Sequence, residues 1–422
     1  MIDQEKQLNL YVKNNRLIDA KNLSLQILEQ QPSSAIAHQT LIQYNFNTRN
    51  FAQCIKQCIK LLTVSPNDFV ALKFEILSYI EQKEFLLARQ KVDFALKNYS
   101  NNIELLLLKA EVNICQQNYD AALDVYKQLY DFKPLFFSAC TLVEAPNYRQ
   151  HFNNVSNLLK RDAHQKMEPL IGISERIDQA INCFFGLEKY VPYTPLQKGS
   201  FFNIPQLSAK PFYQVDEIPN LKVLLDDLTA NMASIKQILK GVKRDSYIES
   251  IDSKVTEQDW VLLSKKWQSI HLLKAGKECK VNTEMEQIQK IFATDVIADC
   301  SPHAPEAFIS ILPADTKIPP HYGLSNVKLT VHLPIYVDLK SSITVGGERK
   351  IWHRDGVLVF DDSFLHSAEN NSENARAVLI FDIWHPDLTD AEKEAIREFM
   401  LTYDNWSKVF APLSQAVQLA LK

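Results

Sequence analysis

The amino-acid sequence predicts a multidomain α + β chain, in which an all-helical repeat comes first and a domain of antiparallel strands follows. Two observations carry this prediction. Large and small residues recur with a period of 34 over residues 1–135, whereas beyond about residue 300 apolar and polar residues alternate. The chain has 422 residues, which exceeds what a single hydrophobic core usually organises, so two or three domains are expected.

The helical part consists of four units that align in one register. Each unit has a large residue, a small residue three positions later and another large residue eight positions after that, and proline or serine closes it. This spacing describes an apolar helix face with one point of close approach, ended by a helix breaker. The aligned sets are Leu17, Phe51, Phe85 and Tyr119; Ala20, Cys54, Ala88 and Ala122; Leu28, Leu62, Leu96 and Tyr130; and Pro32, Pro66, Ser100 and Pro134.

A 34-residue period with this pattern resembles tetratricopeptide repeats. The resemblance implies a right-handed superhelix over residues 1–135, with a concave groove that accepts a peptide or a partner helix. A helical scaffold that only supports the second domain is the alternative. Residues 136–195 are predicted to form a helical capping or linking region, and Pro192 and Pro195 mark its end.

The strand domain is assigned to residues 196–405, and a C-terminal helix to 406–422. Short strands separated by turn residues indicate a double-sheet jelly roll, whose interior can enclose a cofactor. Gly346-Gly347 is a predicted hairpin turn, and Thr389 with Glu392 forms a capping box for a helix to about Tyr403. The strand candidates are 308–312, 327–333, 342–345, 356–360 and 376–383; helices are expected at 221–242 and 285–293.

Composition narrows the class of partner and compartment. A net charge of -4 and a pI near 6.2 give no general attraction to nucleic acid or to anionic membranes. No apolar run reaches the length of a membrane span, and the first residues are too polar for a signal peptide. The seven cysteines are odd in number and lack metal-ligand spacing, which favours a reducing, cytoplasmic compartment.

Two histidines near the C-terminus, His321 and His366, each lie in a short strand-like run, and Arg376 follows ten residues after the second. Two neutral imidazoles can hold iron, and a guanidinium nearby can hold a dicarboxylate. Non-haem oxygenases usually add a carboxylate, normally two residues beyond the first histidine. That residue here is Gly323. Spacing alone therefore counts against an iron site.

Several segments nevertheless resemble the aspartyl/asparaginyl β-hydroxylase family in motif order and spacing. The resemblance covers roughly residues 200–400, and the family is also known to carry tetratricopeptide repeats before its catalytic domain. The matching segments are 308–312, 320–323, 329–333, 360–366 and 382–386 with Trp352 and Arg376, and upstream the weaker 207–212 and Trp267.

The resemblance implies an iron(II) centre with two histidine ligands and no carboxylate, so Gly323 fits the family. His321 and His366 match the ligands. Ser310, His332 and Arg376 match the contacts to 2-oxoglutarate, with Arg376 and Ser310 on the distal carboxylate. The family commonly has arginine where this chain has Thr330, and Lys328 on the same strand face is a partial substitute.

By this resemblance the chain is an iron(II)- and 2-oxoglutarate-dependent dioxygenase that uses O2 to hydroxylate a protein or peptide side chain. The β-carbon of Asp or Asn is the expected target, and the repeat groove would deliver the substrate. No catalytic residue beyond the metal centre is implied. Two alternatives stay open: the same chemistry on a small amino-acid derivative or a lipid acyl chain, and a non-enzymatic adaptor with a degenerate hydroxylase domain.

Overall fold

The computed structural model of the chain describes residues 2–139, 145–241, 245–246, 267–279, 283–354 and 356–421. The chain divides into two compact units, one formed by Met1–Asp162 with Val409–Lys422 and the other by Ala163–Lys408. The first unit is helical and the second contains the sheets. The predicted multidomain α + β class, with helical repeats before a strand domain, is confirmed.

The helical repeats follow the 34-residue period of the sequence. Helices α2, α4, α6 and α8 begin at residues 17, 51, 85 and 119, each 34 residues after the one before, as the aligned large residues predict. The eight helices are α1 (Ile2–Lys13), α2 (Leu17–Gln30), α3 (Ala35–Asn47), α4 (Phe51–Val64), α5 (Phe69–Glu81), α6 (Phe85–Asn98), α7 (Ile103–Cys115) and α8 (Tyr119–Phe132).

The pattern of burial in the repeats confirms the predicted small positions and moves the last buried position of each unit by one residue. All four small residues predicted at points of close approach are at most 1% exposed. The last large position is half-buried, and the fully buried one lies one residue earlier, at Ile27, Leu61, Ala95 and Leu129. Left-handed turn residues recur with the same period before each of α2, α4, α6 and α8: Asn15, Arg49, Lys83 and Gln117.

The helices outside the repeats are partly as predicted. The helix expected over 221–242 is two helices that meet at Asn231. Thr389 and Glu392 form the predicted capping box, but the helix continues past residue 403 with Pro412 inside it. The helices are α9 (Leu135–Ala139), α10 (Ala145–Lys166), α11 (Glu175–Phe185), α12 (Leu221–Ala230), α13 (Met232–Gly241), α14 (Thr283–Ile291) and α15 (Asp390–Leu421). Within the described ranges, no helix has both the length and the apolar character needed to cross a membrane.

Twelve described strands form two antiparallel sheets, the arrangement predicted as a jelly roll. The larger has the order β1-β10-β7-β12-β5-β3-β2, with β4 beside β3, and the smaller has the order β6-β11-β8-β9. The strands are β1 (Phe212–Tyr213), β2 (Asp245–Ser246), β3 (Gln268–Lys274), β4 (Lys277–Glu278), β5 (Ala307–Leu312), β6 (Thr316–His321), β7 (Lys328–Tyr336), β8 (Ser341–Val345), β9 (Glu348–Ile351), β10 (Leu358–Phe360), β11 (His366–Asn370) and β12 (Arg376–Trp384).

The central strands of the larger sheet are buried on both faces, and every residue of β12 is buried. One face packs on helices α12, α13 and α14. The other face meets the smaller sheet across an apolar layer, the inter-sheet core, whose members include Phe308, Phe360, Ile318 and Ile343. The predicted turn at Gly346-Gly347 is confirmed: both glycines have positive φ, and they join β8 to its antiparallel neighbour β9. The strand positions place the candidate site beside this inter-sheet core.

Candidate functional site

His321 and His366 lie side by side in the smaller sheet. His321 is the last residue of β6 and His366 the first of β11, and the two residues are direct register partners in this antiparallel pair. Directly opposed residues in such a pair have closely spaced side chains. The centroids of the two imidazole rings are 4.0 Å apart. Strand pairing therefore brings together two residues that are 45 positions apart in the sequence.

The backbone fixes which ring nitrogen of each histidine carries the proton. Nδ1 of His321 lies 2.9 Å from the carbonyl oxygen of Pro319, and Nδ1 of His366 lies 2.9 Å from that of Phe364. A carbonyl can only accept, so each Nδ1–H donates and the lone pair is on Nε2. Burial lowers the pKa of His321 to about 3 and that of His366 to about 4. Both rings are therefore neutral at neutral pH, the form that binds metals.

Gly323 has no side chain, and a neighbouring carboxylate fills the space that one would take. A Cβ built on Gly323 would lie only 2.4 Å from Oδ1 of Asp362. The two loops are also joined directly, since the Gly323 amide donates to the carbonyl of Asp362 over 2.6 Å. Oδ1 of Asp362 is buried and has no hydrogen-bond partner in the described part of the chain. A carboxylate thus lies next to the histidine pair, although it comes from a residue that spacing did not indicate.

Arg376, at the start of β12, is a buried cation with open hydrogen-bonding capacity. It is 2% exposed, and its Nε and Nη1 atoms are buried without a partner among the described residues. Burial lowers the pKa of Arg376 to about 9, so the guanidinium is still charged at neutral pH. A buried charge without a partner is strongly unfavourable. The arrangement is suited to a carboxylate ligand, which a guanidinium binds through two parallel hydrogen bonds.

Ser310 and His332 lie on the strands that flank β12, Ser310 on β5 and His332 on β7. Trp267 Nε1–H donates to Ser310 Oγ over 2.9 Å, which leaves the serine hydroxyl hydrogen available to another acceptor. Burial, together with the charge of Arg376, holds the pKa of His332 well below its usual value. His332 Nδ1 has no partner among the described atoms. Both residues therefore offer neutral polar groups near a buried cation.

A continuous series of ring contacts joins the histidine pair to Arg376. The His366 ring lies 5.7 Å from that of Phe360, which lies 4.9 Å from His332. His332 is stacked on Trp352 at 5.9 Å, and the Arg376 guanidinium carbon lies 4.4 Å from the centre of the Trp352 ring. The five residues form one site, which runs from the neutral imidazoles to the buried guanidinium.

Lys328 and Thr330 share the strand face of His332 on β7, as their alternation predicts. Lys328 Nζ lies 2.7 Å from Asp382 Oδ1 and 3.3 Å from Asp362 Oδ2. Although burial by itself would lower the pKa of Lys328, the two carboxylates raise it above its usual value. Its charge is therefore already balanced within the protein. Thr330 is buried between Phe360 on β10 and Asp382 on β12.

Residues 196–201, to which the sequence analysis assigned no role, connect the loops that carry the two histidines. Residues 196–201 hydrogen-bond to both: Leu365 N donates to Leu196 O over 2.6 Å, and Phe201 N donates to Leu324 O over 2.8 Å. Asp361 strengthens the same region by accepting hydrogen bonds from the Gln197 amide and from Ser363. The adjacent aspartates before His366 are the sequence signal for this role, although aspartates are equally typical of turn caps.

The residues present fit a metal bound by imidazole nitrogens, because two neutral rings with oriented lone pairs are adjacent. Within the described ranges no group of three or more His, Cys, Asp or Glu residues is arranged to hold a metal, so His321 and His366 would be its protein ligands. The residues also fit a small dicarboxylate. Arg376 and His332 have buried polar atoms with no partner in the described protein, and such atoms are costly unless a ligand satisfies them.

Comparison with known proteins finds similarity to hydroxylases. Residues 220–386 match the family model described as aspartyl/asparaginyl beta-hydroxylase. Human aspartate beta-hydroxylase domain-containing protein 2 is 26% identical over 216 residues, which are 48% of this chain and 54% of that protein. Human aspartyl/asparaginyl beta-hydroxylase is 34% identical over 88 residues, which are 21% of this chain and 12% of that protein. The chain thus spans about half the length of the first of these relatives and a much smaller part of the second.

Two solved structures have low TM-scores against the chain. A tetratricopeptide repeat protein from Parabacteroides merdae covers 44% of this chain and 70% of its own, with a TM-score of 0.32 and 15% identity. The cupin domain of Schizosaccharomyces pombe Cnp3 covers 28% of this chain and 64% of its own, with a TM-score of 0.19 and 13% identity. The fold therefore rests on the helix period and strand order described above. The similarity to the aspartyl/asparaginyl β-hydroxylase family lies in residues 220–386, which follow the helical repeats.

Proposed function

We propose that this chain is an iron(II)- and 2-oxoglutarate-dependent dioxygenase that hydroxylates a protein or peptide side chain, at the β-carbon of Asp or Asn. The observation that carries the proposal is the register pairing of His321 with His366, two neutral imidazoles whose Nδ1 atoms are both held by backbone carbonyls. Such outer hydrogen bonds orient histidine ligands toward a metal. Iron bound there would supply the oxygen chemistry: O2 and 2-oxoglutarate are converted to succinate and carbon dioxide, and one oxygen atom enters the substrate.

The chain's own residues would bind and orient the co-substrate. Arg376 is charged and has no acidic partner among the described residues, so it would hold the distal carboxylate, with the Ser310 hydroxyl as a second donor. Trp267 would position that hydroxyl by donating to its oxygen. His332 would contact the carboxylate nearer the metal. The apolar residues of the inter-sheet core would exclude water from this part of the site.

Asp362 would act beside the metal. Its Oδ1 atom is buried and unpartnered in the described protein, and it lies next to Gly323 in the loop that follows His321. There its carboxylate would accept a hydrogen bond from a water molecule beside the histidine pair. Lys328 would hold Asp362 in place from the other side and, because two carboxylates neutralise its charge, would contribute little to binding the co-substrate.

The helical repeats would recruit the polypeptide substrate. Four units in one register, with their small residues buried, form the stacked helix pairs that line an extended groove in repeat proteins. Substrate selection would then be shared between this groove and the mouth of the β domain. We also propose a cytoplasmic location, which the odd number and the spacing of the cysteines favour.

The test is succinate formation by the purified chain supplied with iron(II), 2-oxoglutarate and a library of Asp- and Asn-containing peptides. The expected result is succinate in step with a gain of one oxygen atom on a peptide. His366→Ala should remove both iron binding and turnover, whereas His353→Ala, at an exposed histidine, should remove neither. Oxygen gain only on small amino-acid derivatives or acyl chains would move the substrate to that class. Absence of iron binding by the unaltered chain would favour an adaptor.

A further inference from the structure

Trp352 is the one large polar side chain of the candidate site, among the described residues, for which the proposed function provides no role. It is fully buried at 0% exposure, and its Nε1–H has no hydrogen-bond partner in the described part of the protein. Leaving a buried donor unsatisfied is energetically unfavourable. Tryptophan in a core usually finds a partner for this group.

The surroundings of Trp352 indicate what the missing partner is. One contact is the Arg376 guanidinium, 4.4 Å from the ring centre, and another is His332, stacked at 5.9 Å with an interplanar angle of 11°. Both neighbours also carry buried polar atoms that lack partners within the described ranges. The unpartnered Trp352 and Arg376 atoms are all donors, so a ligand with acceptor oxygens would satisfy them. A carboxylate meets this requirement, and it also neutralises the buried guanidinium.

Two other tryptophans separate this arrangement from ordinary packing. Trp267 lies in the same inter-sheet core, but its Nε1–H is already used on Ser310. Trp384 is also buried, and its Nε1 has no partner among the described residues; an arginine, Arg397, lies over its ring at 5.3 Å. However, Arg397 is paired with Asp299 and Glu394, which balance its charge. Of these three tryptophans, only Trp352 combines an unused donor with an arginine that has no acidic partner in the described part of the chain.

We infer that the Trp352 indole N–H is a binding donor for the co-substrate, and that it shares with Arg376 the recognition of the distal carboxylate. This inference rests on the proposed function, because it names a further residue of the same co-substrate site. It assigns Trp352 a specificity role: the N–H favours a 2-oxo acid with a second carboxylate over one that ends in a methyl group. If Trp352 served only to pack the core, replacing it would weaken the binding of both acids by the same factor.

The experiment is a two-by-two comparison of protein and ligand. Zn(II)-loaded wild type and Trp352→Phe are titrated calorimetrically with 2-oxoglutarate and with 2-oxovalerate, which lacks the distal carboxylate. The expected result is about tenfold weaker binding of 2-oxoglutarate by the variant, with 2-oxovalerate affinity unchanged, since a hydrogen bond to a charged group contributes at least that factor. Trp384→Phe is the matched control and should alter neither affinity.

Two results would overturn the inference: unchanged 2-oxoglutarate affinity in Trp352→Phe, or an equal loss for both ligands, which would mark a packing role. Failure of the wild type to bind 2-oxoglutarate would instead remove the proposed function itself. A measurement on the unaltered chain covers the case of a variant that does not fold. The five tryptophans give five indole N–H resonances in ¹⁵N-tryptophan-labelled, Zn(II)-loaded protein. The Trp352 resonance, assigned by replacing the other tryptophans, should shift with 2-oxoglutarate and stay in place with 2-oxovalerate; a stationary resonance with both would also refute the inference.

Discussion

At the scale of single residues, the proposed site places a metal at the histidine pair and a carboxylate at Arg376. The histidines are neutral because burial lowers their pKa values, and neutral imidazole is a metal ligand. Arg376 stays charged at the other end of the ring series, where no acidic side chain of the described protein balances it. Substitutions at the two ends should therefore separate metal binding from co-substrate binding.

Arg376→Met should weaken 2-oxoglutarate binding by about a hundredfold, because it removes a buried charge that pairs with a carboxylate. Metal affinity should stay at the wild-type value, since the histidines are unchanged. Calorimetric titrations of Zn(II), and then of 2-oxoglutarate, measure the two steps in turn. Arg349→Met is the control, because Arg349 is exposed and pairs with Glu369 at the surface. Equal loss of both affinities would contradict this division of roles.

Gly323 gives a second residue-scale prediction, which depends on Asp362. A methyl group at residue 323 would overlap the Asp362 carboxylate, whose nearest atom lies 2.3 Å from the Cβ position. Gly323→Ala should therefore lower the free energy of unfolding by about 1–3 kcal/mol through overpacking. In an Asp362→Ala background the same change should cost much less, since the overlapping carboxylate is gone. Urea unfolding of the four proteins measures this coupling; additive effects would show that the carboxylate does not fill that space.

At the scale of elements, the sequence predicted what periodicity and alternation encode. The 34-residue period located the starts of four helices, and strand alternation put Lys328, Thr330 and His332 on one face. Helix caps could also be predicted from the sequence, as for the capping box of Thr389 and Glu392. These features depend on residues close together in the chain, so local spacing is enough to find them.

Contacts between distant segments could not be predicted in this way. The Asp362 carboxylate beside Gly323 depends on how two loops pair, and the hydrogen bonds of residues 196–201 depend on backbone atoms rather than on side-chain type. The neutralisation of Lys328 had the same origin, because Asp382 reaches it only through the pairing of β7 with β12. The predicted end of the last helix at Tyr403 was wrong because Leu413 and Val417 are buried farther along it, and Pro412 is accommodated.

Glu392 joins the start of α15 to the start of α11. It receives hydrogen bonds from Arg176 at 2.6 and 3.0 Å, from the α11 cap Ser174 and from Thr389. Although burial by itself raises the pKa of Glu392, these donors lower it to about 2. Glu392→Gln should reduce the free energy of unfolding by about 2 kcal/mol at pH 7, since hydrogen bonds to a charged group are lost.

The pH dependence of that effect follows from the direction of the shift. A carboxylate whose pKa is lower in the folded state stabilises the fold above its ordinary pKa of 4.5 and loses this contribution as pH falls toward 2. The stability difference between wild type and Glu392→Gln should therefore narrow below about pH 4.5, as followed by urea unfolding at several pH values. Glu394→Gln, at an exposed carboxylate on the same helix, is the control. A difference that is constant from pH 7 to pH 3 would contradict the assigned ion pair.

At the scale of the whole molecule, the candidate site and the C-terminal residues belong to different compact units. All the candidate site residues fall in Ala163–Lys408, whereas Val409–Lys422 groups with the helical repeats, although α15 is continuous through both. Leu413 and Val417 lie one helical turn apart and are at most 2% exposed, so this end of α15 is part of a core. The two units should therefore respond to different perturbations.

Calorimetric melting of the whole chain should show two transitions, of which only one responds to Zn(II) with 2-oxoglutarate. A ligand at a hundred times its Kd stabilises the unit that binds it by about 2.7 kcal/mol and leaves the other unchanged. Leu413→Ala should lower the melting temperature of the other transition, because truncating a buried leucine reduces the free energy of unfolding by about 3 kcal/mol. Leu419→Ala is the control: this residue is 58% exposed, and its replacement should change neither melting temperature. If Leu413→Ala instead lowered the ligand-responsive transition, the end of α15 would be stabilising the β domain. Because the repeats would keep their stability in that case, the result would assign residues 409–421 to the unit that contains the candidate site and not to the helical repeats.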